Sequence, residues 1–523
     1  MNPAARQADD LPSGDDESDG VISAGEQQFD RGRKTIGLFL GPATAALILA
    51  LPLPVLALPA HRLAAILSLV LVFWITEAIP IPVTALLGAA LMPMLGVASA
   101  KDALAPFADP IVFLFMGSFI LAKAMTAHGL DRRFALRILA IPWVGDSPVR
   151  ILTMFGAVTA FLSMWLSNTA TTAMLFPIAL GILRVMEVKL STTGEEGRGS
   201  LGGYGTGLML MAAYASSIGG IGTPVGTPPN LIGIAMLERL AGVHIPFFRW
   251  MLFALPILLL MFGSLCFLLR WLHPAKVDRL VGIAAFIRDE RAKLGRWSRG
   301  EINALIAFLV AVALWIAPGF IAIVAGTESA AGKAFNLRFS EGIVALLAAG
   351  LLFVLPVDWR RREFTLGWRE AARIDWGTLL LFGGGLSLGG QMFSTGLATA
   401  LGQGLIHATG VTSLWGITAV SIALSILITE TTSNTAAANM VIPVMIAVAQ
   451  AAGVNPLQPA LGATLGASYA FMLPVSTPPN AIVYGSGQVP ITKMLRAGIL
   501  FDLVGFFLLL ISLQVLSPLL GVD

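Results

Sequence analysis

The sequence predicts an all-α polytopic membrane protein of about eleven transmembrane helices plus two re-entrant helical hairpins, arranged as an inverted repeat. Three observations carry this. Of the 523 residues, 56% are hydrophobic and 12% charged, against about 25% charged in an ordinary soluble domain. Apolar runs such as Ile36 to Leu58, Leu63 to Ile75, Met251 to Leu269, Ile302 to Ile316 and Ile499 to Val515 approach the length that crosses a bilayer. The polar string Ser-Asn-Thr-Ala interrupts two long apolar segments, at residues 167–170 and 433–436.

Taken in order, residues 1–30 carry Asp9, Asp10, Asp15, Asp16, Glu17, Asp19, Glu26 and Asp30 with few large apolar groups, the composition of a disordered acidic tail. They lack the basic start and apolar core of a signal peptide. Spans are expected near 35–58, 63–80, 83–97, 110–127, 205–238, 250–272, 302–317, 341–356, 377–392, 458–487 and 498–517. Segments 150–185 and 413–449 are long enough for two half-crossings each, and their central Ser-Asn-Thr makes them re-entrant hairpins. The run from Arg270 to Arg299 reads as a basic cytoplasmic surface helix.

With the N-terminus inside, the inner segments hold 25 Lys and Arg and the outer ones 6, which satisfies the positive-inside rule. The N-terminus is then cytoplasmic and the C-terminus outside, and the two hairpins enter from opposite faces. The net charge of +3 is spread between spans rather than gathered in a stripe, so it reads as a topology signal and not as a nucleic-acid surface. The single cysteine, Cys266, excludes a disulfide framework and a cysteine-ligated metal.

The chain repeats itself. Ser167-Asn168-Thr169-Ala170 recurs as Ser433-Asn434-Thr435-Ala436, an offset of 266 that Pro177 and Pro443 keep. Asp109 with Phe115-Met116-Gly117 matches Asp375 with Leu381-Phe382-Gly383 at the same spacing. Thr227-Pro228-Pro229-Asn230 recurs as Thr477-Pro478-Pro479-Asn480 at an offset of 250, the 16-residue shortfall falling on the polar stretch Ser191 to Gly203. Two halves of opposite orientation are the inverted repeat of secondary carriers.

A helix broken at mid-membrane leaves backbone groups unpaired at several kcal/mol each unless something polar fills the gap. Ser163, Ser167 and Asn168 at the first tip, and Thr429, Thr432 and Asn434 at the second, offer the hard oxygens that sodium prefers. The amides of Asn168 and Asn434 and the hydroxyls of Thr169 and Thr435 can donate to a carboxylate, and helix N-termini beyond each tip add positive potential. No Lys or Arg stands in these motifs, so bound sodium would supply the counter-charge to a dianion. A third ion would make the cycle electrogenic, drawing roughly 2.3 kcal/mol per 100 mV per net charge. The Pro-Pro pairs break their helices, while Gly219, Gly220, Gly222 and Gly226 permit close backbone approach, leaving loops that close each site opposite its tip.

Blander readings cover other residues. Glu77 beside Pro80 reads as a cap or interface contact rather than a proton relay, Lys123 as a snorkelling side chain, and Met164 and Trp165 as packing.

On both Ser-Asn-Thr tips, both Pro-Pro-Asn loops, Trp74 to Thr84 and Gly219 to Asn230, the chain resembles the divalent anion/sodium symporter family, which includes the bacterial INDY-type dicarboxylate carriers. The resemblance covers essentially everything after residue 30. It implies an elevator carrier, a homodimer in the inner (cytoplasmic) membrane that binds two or more sodium ions. Scaffold parts would be 31–149 and 301–412, transport parts 150–272 and 413–523, and 273–300 a basic connecting helix. It implies one sodium at Ser163, Ser167, Asn168 and Gly226 and another at Thr429, Thr432, Asn434 and Ser476. Substrate would contact Asn168, Thr169, Thr227, Asn434, Thr435, Thr477 and Pro478. Ser476 stands where many members have alanine.

The leading expectation is sodium-driven uptake of C4-dicarboxylates such as succinate, fumarate and malate. Exchange without sodium and the carriage of citrate or sulfate are its alternatives within the family. An enzyme would need a nucleophile or metal set, and His61, His128, His244, His273 and His407 form no such pattern. Against a channel, opposed hairpins favour alternating access.

Overall fold

Runs of helix formers punctuated by Pro and Gly set the element boundaries. The computed structural model describes residues 24–192, 197–275, 277, 279–280, 282–326 and 329–520. The first half comprises α1 (Ala24–Ala50), α2 (Leu58–Thr76), α3 (Ile81–Met94), α4 (Ala100–Leu104), α5 (Pro110–Ala127), α6 (Leu130–Leu139), α7 (Pro148–Ser163), α8 (Asn168–Thr192), α9 (Gly197–Gly220), α10 (Pro228–Ala241) and α11 (Phe247–Leu272). After α12 (Ile283–Lys293) come α13 (Arg299–Ala325), α14 (Ala330–Arg338), α15 (Glu341–Val354), α16 (Trp368–Ala371), α17 (Trp376–Ser394) and α18 (Leu397–Thr409). The chain ends with α19 (Leu414–Thr429), α20 (Asn434–Ala451), α21 (Leu457–Gly466), α22 (Pro478–Gly485) and α23 (Ile491–Leu516). Among the described residues the only strands form a two-stranded ribbon, Pro356–Asp358 with Glu363–Phe364.

Eight described helices are long and apolar enough to cross a membrane, and two bent pairs raise the number to ten. Of the expected spans, α1, α2, α11 and α13 qualify alone, α5 as part of Ala100–Ala127, α23 as part of Ile491–Leu520 and α15 together with α14, whereas α17, expected over 377–392, is not among them. Expected span α3 has 14 residues, and 205–238 and 458–487 are each split into two half-helices by their Gly- and Pro-rich middles. Conversely, α8 and α20, expected as half-crossings, are themselves apolar enough to span. Their partners α7 and α19 have 16 residues each, about 24 Å at 1.5 Å per residue, which stops short of a roughly 30 Å hydrocarbon layer.

The duplication is physical. Asp109 caps α5 through the Ile111 amide at 3.0 Å, and its repeat partner Asp375 caps α17 through the Thr378 amide at 3.0 Å. Helices α11 and α23 have 26 residues each. The Pro-Pro half-helices cross between repeats: α10 packs on α20 and α21, and α22 packs on α8 and α9. Every residue from 204 to 227 is buried, so the broken backbone around 221–227 must find its polar partners inside the protein.

Several expectations need correction. Helix α1 begins at Ala24, so residues 24–30 of the acidic stretch are helical and Asp30 pairs with Arg33 and Lys34, while residues 1–23 lie outside the described part. Among the described residues of the connecting segment 273–300, helix covers Ile283–Lys293 and then only Arg299 and Gly300, where α13 begins; Gly282 at φ 99° starts the first of these and Gly295 at φ 60° follows it. The extra residues of the first half lengthen α8 and α9 to 25 and 24 residues, against 18 and 10 for α20 and α21. Glu77 is the left-handed C-cap of α2, 3.3 Å from Arg33, which bears out the structural reading. A buried ion pair that sequence reasoning did not find, Arg133 to Glu301 at 2.5 Å, ties α6 to the capping box that opens α13, and Arg133 also donates to the Leu294, Gly295 and Arg296 carbonyls.

Candidate functional site

Each tip reverses the chain in four residues and restarts it with a serine cap. Ser167 Oγ accepts the Ala170 amide and Ser433 Oγ the Ala436 amide, both at 3.2 Å. Across each reversal a hydroxyl donates to the asparagine carbonyl: Ser163 to Asn168 Oδ1 at 2.8 Å, and Thr429 to Asn434 Oδ1 at 2.7 Å. With Oδ1 engaged inside the tip, neither asparagine NH2 has a protein partner among the described residues, and both side chains line the central cavity. Those are two donors aimed at whatever enters it.

The Pro-Pro loops are locked by their own asparagines. Asn230 Nδ2 donates to the carbonyls of Gly220 at 2.9 Å and Thr223 at 2.8 Å; Asn480 Nδ2 donates to those of Ala470 and Leu473, both at 3.0 Å. The same register, ten and seven residues back, closes both broken helices. Proline in the first turn of α10 and α22 costs nothing because those amides have no helical partner.

Tips and loops meet in one cavity of about 640 Å³. Ser167, Asn168, Thr169, Gly226, Thr227, Asn434, Thr435, Ser476, Thr477 and Pro478 all line it, so the structure brings together every expected substrate residue. Ser163, Thr429 and Thr432 lie behind the tips, 0%, 0% and 4% exposed. Four helix N-termini, those of α8, α10, α20 and α22, converge there, a setting that favours an anion.

Behind each tip the oxygens gather. A Cβ on Gly226 would stand 2.5 Å from the Gly220 carbonyl and 2.9 Å from that of Met164, and one on Gly220 would stand 2.6 Å from Asn168 Oδ1. Together with Ser163 these neutral oxygens form a cradle that fits a hard monovalent cation. At the second tip Thr429 Oγ1 lies 2.8 Å from the Ala467 carbonyl as well as 2.7 Å from Asn434 Oδ1, its one proton shared between the two acceptors. Thr432 donates to the Ile428 carbonyl, and Ser476 Oγ lies 2.6 Å from Glu430 Oε2. Among the described residues no cluster of three His, Cys, Asp or Glu could hold a metal.

Several site residues escaped the sequence reading. The Met164 and Gly220 carbonyls are backbone groups that no side-chain pattern reveals. Glu430, 2% exposed, accepts the amides of Phe471 at 2.6 Å and Met472 at 2.9 Å besides the Ser476 hydroxyl, and so holds the second loop against its tip. Asp502, 6% exposed and beside Glu430, lies on α23 between Gly498, which packs on Phe471 and Met472, and Gly505, which packs on Tyr469. The signal for both was an acid inside an apolar run. Lys123, near the end of α5, lines the cavity, as does Arg373. Met164 and Trp165 do pack, Trp165 against Phe247 and Phe308.

Residues 33–522 match the family described as the sodium:sulfate symporter transmembrane region. The chain belongs to that family. Over 93% of its length this symporter-family chain is 36% identical to a sodium-dependent dicarboxylate transporter, SdcS, of Staphylococcus saprophyticus, covering 92% of that protein. SdcS of Staphylococcus aureus strain USA300 is 33% identical over the same shares. Its fold is similar to those of the YdaH transporter of Alcanivorax borkumensis (TM-score 0.55, 13% identity, 88% of this chain and 98% of that one) and of MtrF, an antimetabolite efflux pump of Neisseria gonorrhoeae (TM-score 0.53, 14% identity, 88% and 96%). The symporter-family chain is thus an all-α, multi-pass membrane transporter.

Proposed function

We propose that the protein is a symporter that carries C4-dicarboxylates such as succinate, fumarate and malate into the cell with sodium. The observation that supports it most is the convergence of two free asparagine amides and four helix N-termini on one cavity with an oxygen cradle behind each tip. Donors on two opposed tips suit an anion with charge at both ends, and the dicarboxylate transporters at 36% and 33% identity agree with that. Asn168, Thr169 and Thr227 hold one carboxylate, and Asn434, Thr435, Thr477 and Pro478 the other. One sodium sits at Ser163, Ser167, Asn168 and Gly226; a second sits at Thr429, Thr432, Asn434 and Ser476, where Glu430 positions the serine.

The cavity is also lined by Ile81 and Pro82, by Lys123 and Thr126 near the end of α5, and by Arg373, Ile374 and Asp375 before α17, which the Lys and Arg distribution assigns to the cytoplasmic face. On that reading, with an N-terminus inside and a C-terminus outside the inner membrane, the form described here is open to the cytoplasm. The scaffold 31–149 with 301–412, moving transport parts and homodimeric assembly complete an elevator cycle. Competition of unlabelled anions against labelled succinate tests the substrate class: fumarate and malate are expected to compete at similar concentrations, with citrate and sulfate weaker by at least about tenfold, equal to 1.4 kcal/mol. Sulfate as the strongest competitor would reassign the site.

A further inference from the structure

The tips carry no cation, yet the cavity they line carries two. Lys123 stands on α5 one turn beyond Phe119, and Arg373 precedes the Asp375 cap of α17; both line the cavity from elements outside the two hairpins. Neither is ion-paired or hydrogen-bonded among the described residues. The buried Arg133, by contrast, makes four contacts to protein acceptors. The one acid on this wall, Asp375, is engaged at its cap, where both carboxylate oxygens accept from Thr378, so the mouth keeps a net positive charge.

A cleft lined by one sign of charge between low-dielectric walls focuses its field and raises the local concentration of the opposite ion. We infer that Lys123 and Arg373 form an anion-staging subsite at the mouth of the cavity, which takes a small dianion before it reaches the tips and receives it again on release. The inference rests on the reading of the tips as a dicarboxylate site and adds a second, electrostatic contact on the wall that carries no Ser-Asn-Thr motif. Its geometry separates the tasks. The neutral tips impose shape and fixed hydrogen bonds, while the mobile Lys and Arg side chains supply attraction without holding the anion in one pose. A staging site on the wall also leaves the cations behind if the tips move, so the loaded site carries only sodium as counter-charge.

The test is sodium-dependent binding of radiolabelled succinate to the purified full-length protein, followed in time at fixed sodium while choline chloride sets the ionic strength. At low ionic strength Lys123→Gln and Arg373→Gln are each expected to slow association about threefold and the pair about tenfold, an effect that fades near 0.5 M salt as screening takes over. Succinamate, the monoanion, should lose about half as much on a logarithmic scale. Lys123→Arg and Arg373→Lys should keep wild-type rates, which separates charge from misfolding. Wild-type rates and salt slopes in the double Gln variant, with binding still abolished by Asn168→Ala, would overturn the staging subsite and leave the tip reading standing. Equal slowing by the charge-preserving variants would overturn it too. No sodium-dependent succinate binding by the wild type would remove both.

Discussion

At the first tip Met164 lies against Gly226; at the second, the same offsets of 266 and 250 place Glu430 against Ser476. The first pair meets through backbone alone, and the absent side chain at 226 is what lets the Met164 and Gly220 carbonyls close on the cradle. At the second, a carboxylate takes two amides of the 471–472 segment and the hydroxyl of the loop serine. Duplication therefore preserved the asparagine contacts and the Pro-Pro locks but let the oxygen cradles diverge, one neutral and one with a carboxyl group beside it. On our account the second site holds sodium more tightly in the absence of substrate, and the first depends more on the substrate's own charge.

The largest effects test what the two tips share. Asn168→Ala and Asn434→Ala each remove a donor to the substrate and the acceptor of a tip hydrogen bond, and each is expected to lower transport more than about 100-fold, the equivalent of 2.7 kcal/mol or more. A loss confined to one tip would break the two-site symmetry. Next comes Gly226→Ala, whose Cβ would collide with two carbonyls. Its sodium half-saturation is expected to rise at least about 30-fold, with little change on Met164→Leu because only the Met164 carbonyl takes part.

Glu430→Gln keeps an acceptor for the Phe471 and Met472 amides but removes the charge, so sodium half-saturation should rise about tenfold, and Ser476→Ala should raise it about threefold. Titrating sodium at saturating succinate checks both, and equal responses at the two tips would erase the asymmetry. Away from the tips, Arg133→Ala would strand the Glu301 carboxylate in a nearly buried place and is expected to cost about 3 kcal/mol, read as a lowered Tm.

A last contrast lies between the ends of α11 and α23, capped by His273 and Ser517. Burial, with Lys493 and Arg496 adding to it, pushes the His273 imidazole from 6.5 down to about 4. The unfolded chain then takes up a proton near pH 6.5 that the folded one refuses. Stability should fall as pH drops from 6.5 towards 4 and be restored above 6.5, by an amount on the order of 2 kcal/mol. His273→Gln should flatten that part of the pH profile of Tm.

The tips and loops were legible in sequence because each local rule appears twice. A serine cap followed by Asn-Thr, and a threonine followed by Pro-Pro-Asn, state where a helix must restart whatever surrounds it. What was not legible depends on tertiary approach. The Met164 and Gly220 carbonyls belong to no residue type, and no local pattern shows that Lys123 borders the cavity. Glu430 and Asp502 could have been read, since an acid within an apolar segment is expensive, but their partners lie 41 or more residues away in sequence or on another helix. The expected eleven spans mixed continuous helices with broken ones because apolar content does not record where a helix stops.

The central claim is that opposed asparagine tips bind a dicarboxylate together with sodium. Uptake of radiolabelled succinate into proteoliposomes, with and without an inward sodium gradient, tests it most directly. Uptake is expected to need the gradient and to disappear in both Asn168→Ala and Asn434→Ala. Uptake that proceeds without sodium and requires only dicarboxylate inside the vesicle would contradict it, and would make the protein an exchanger with no sodium at either cradle.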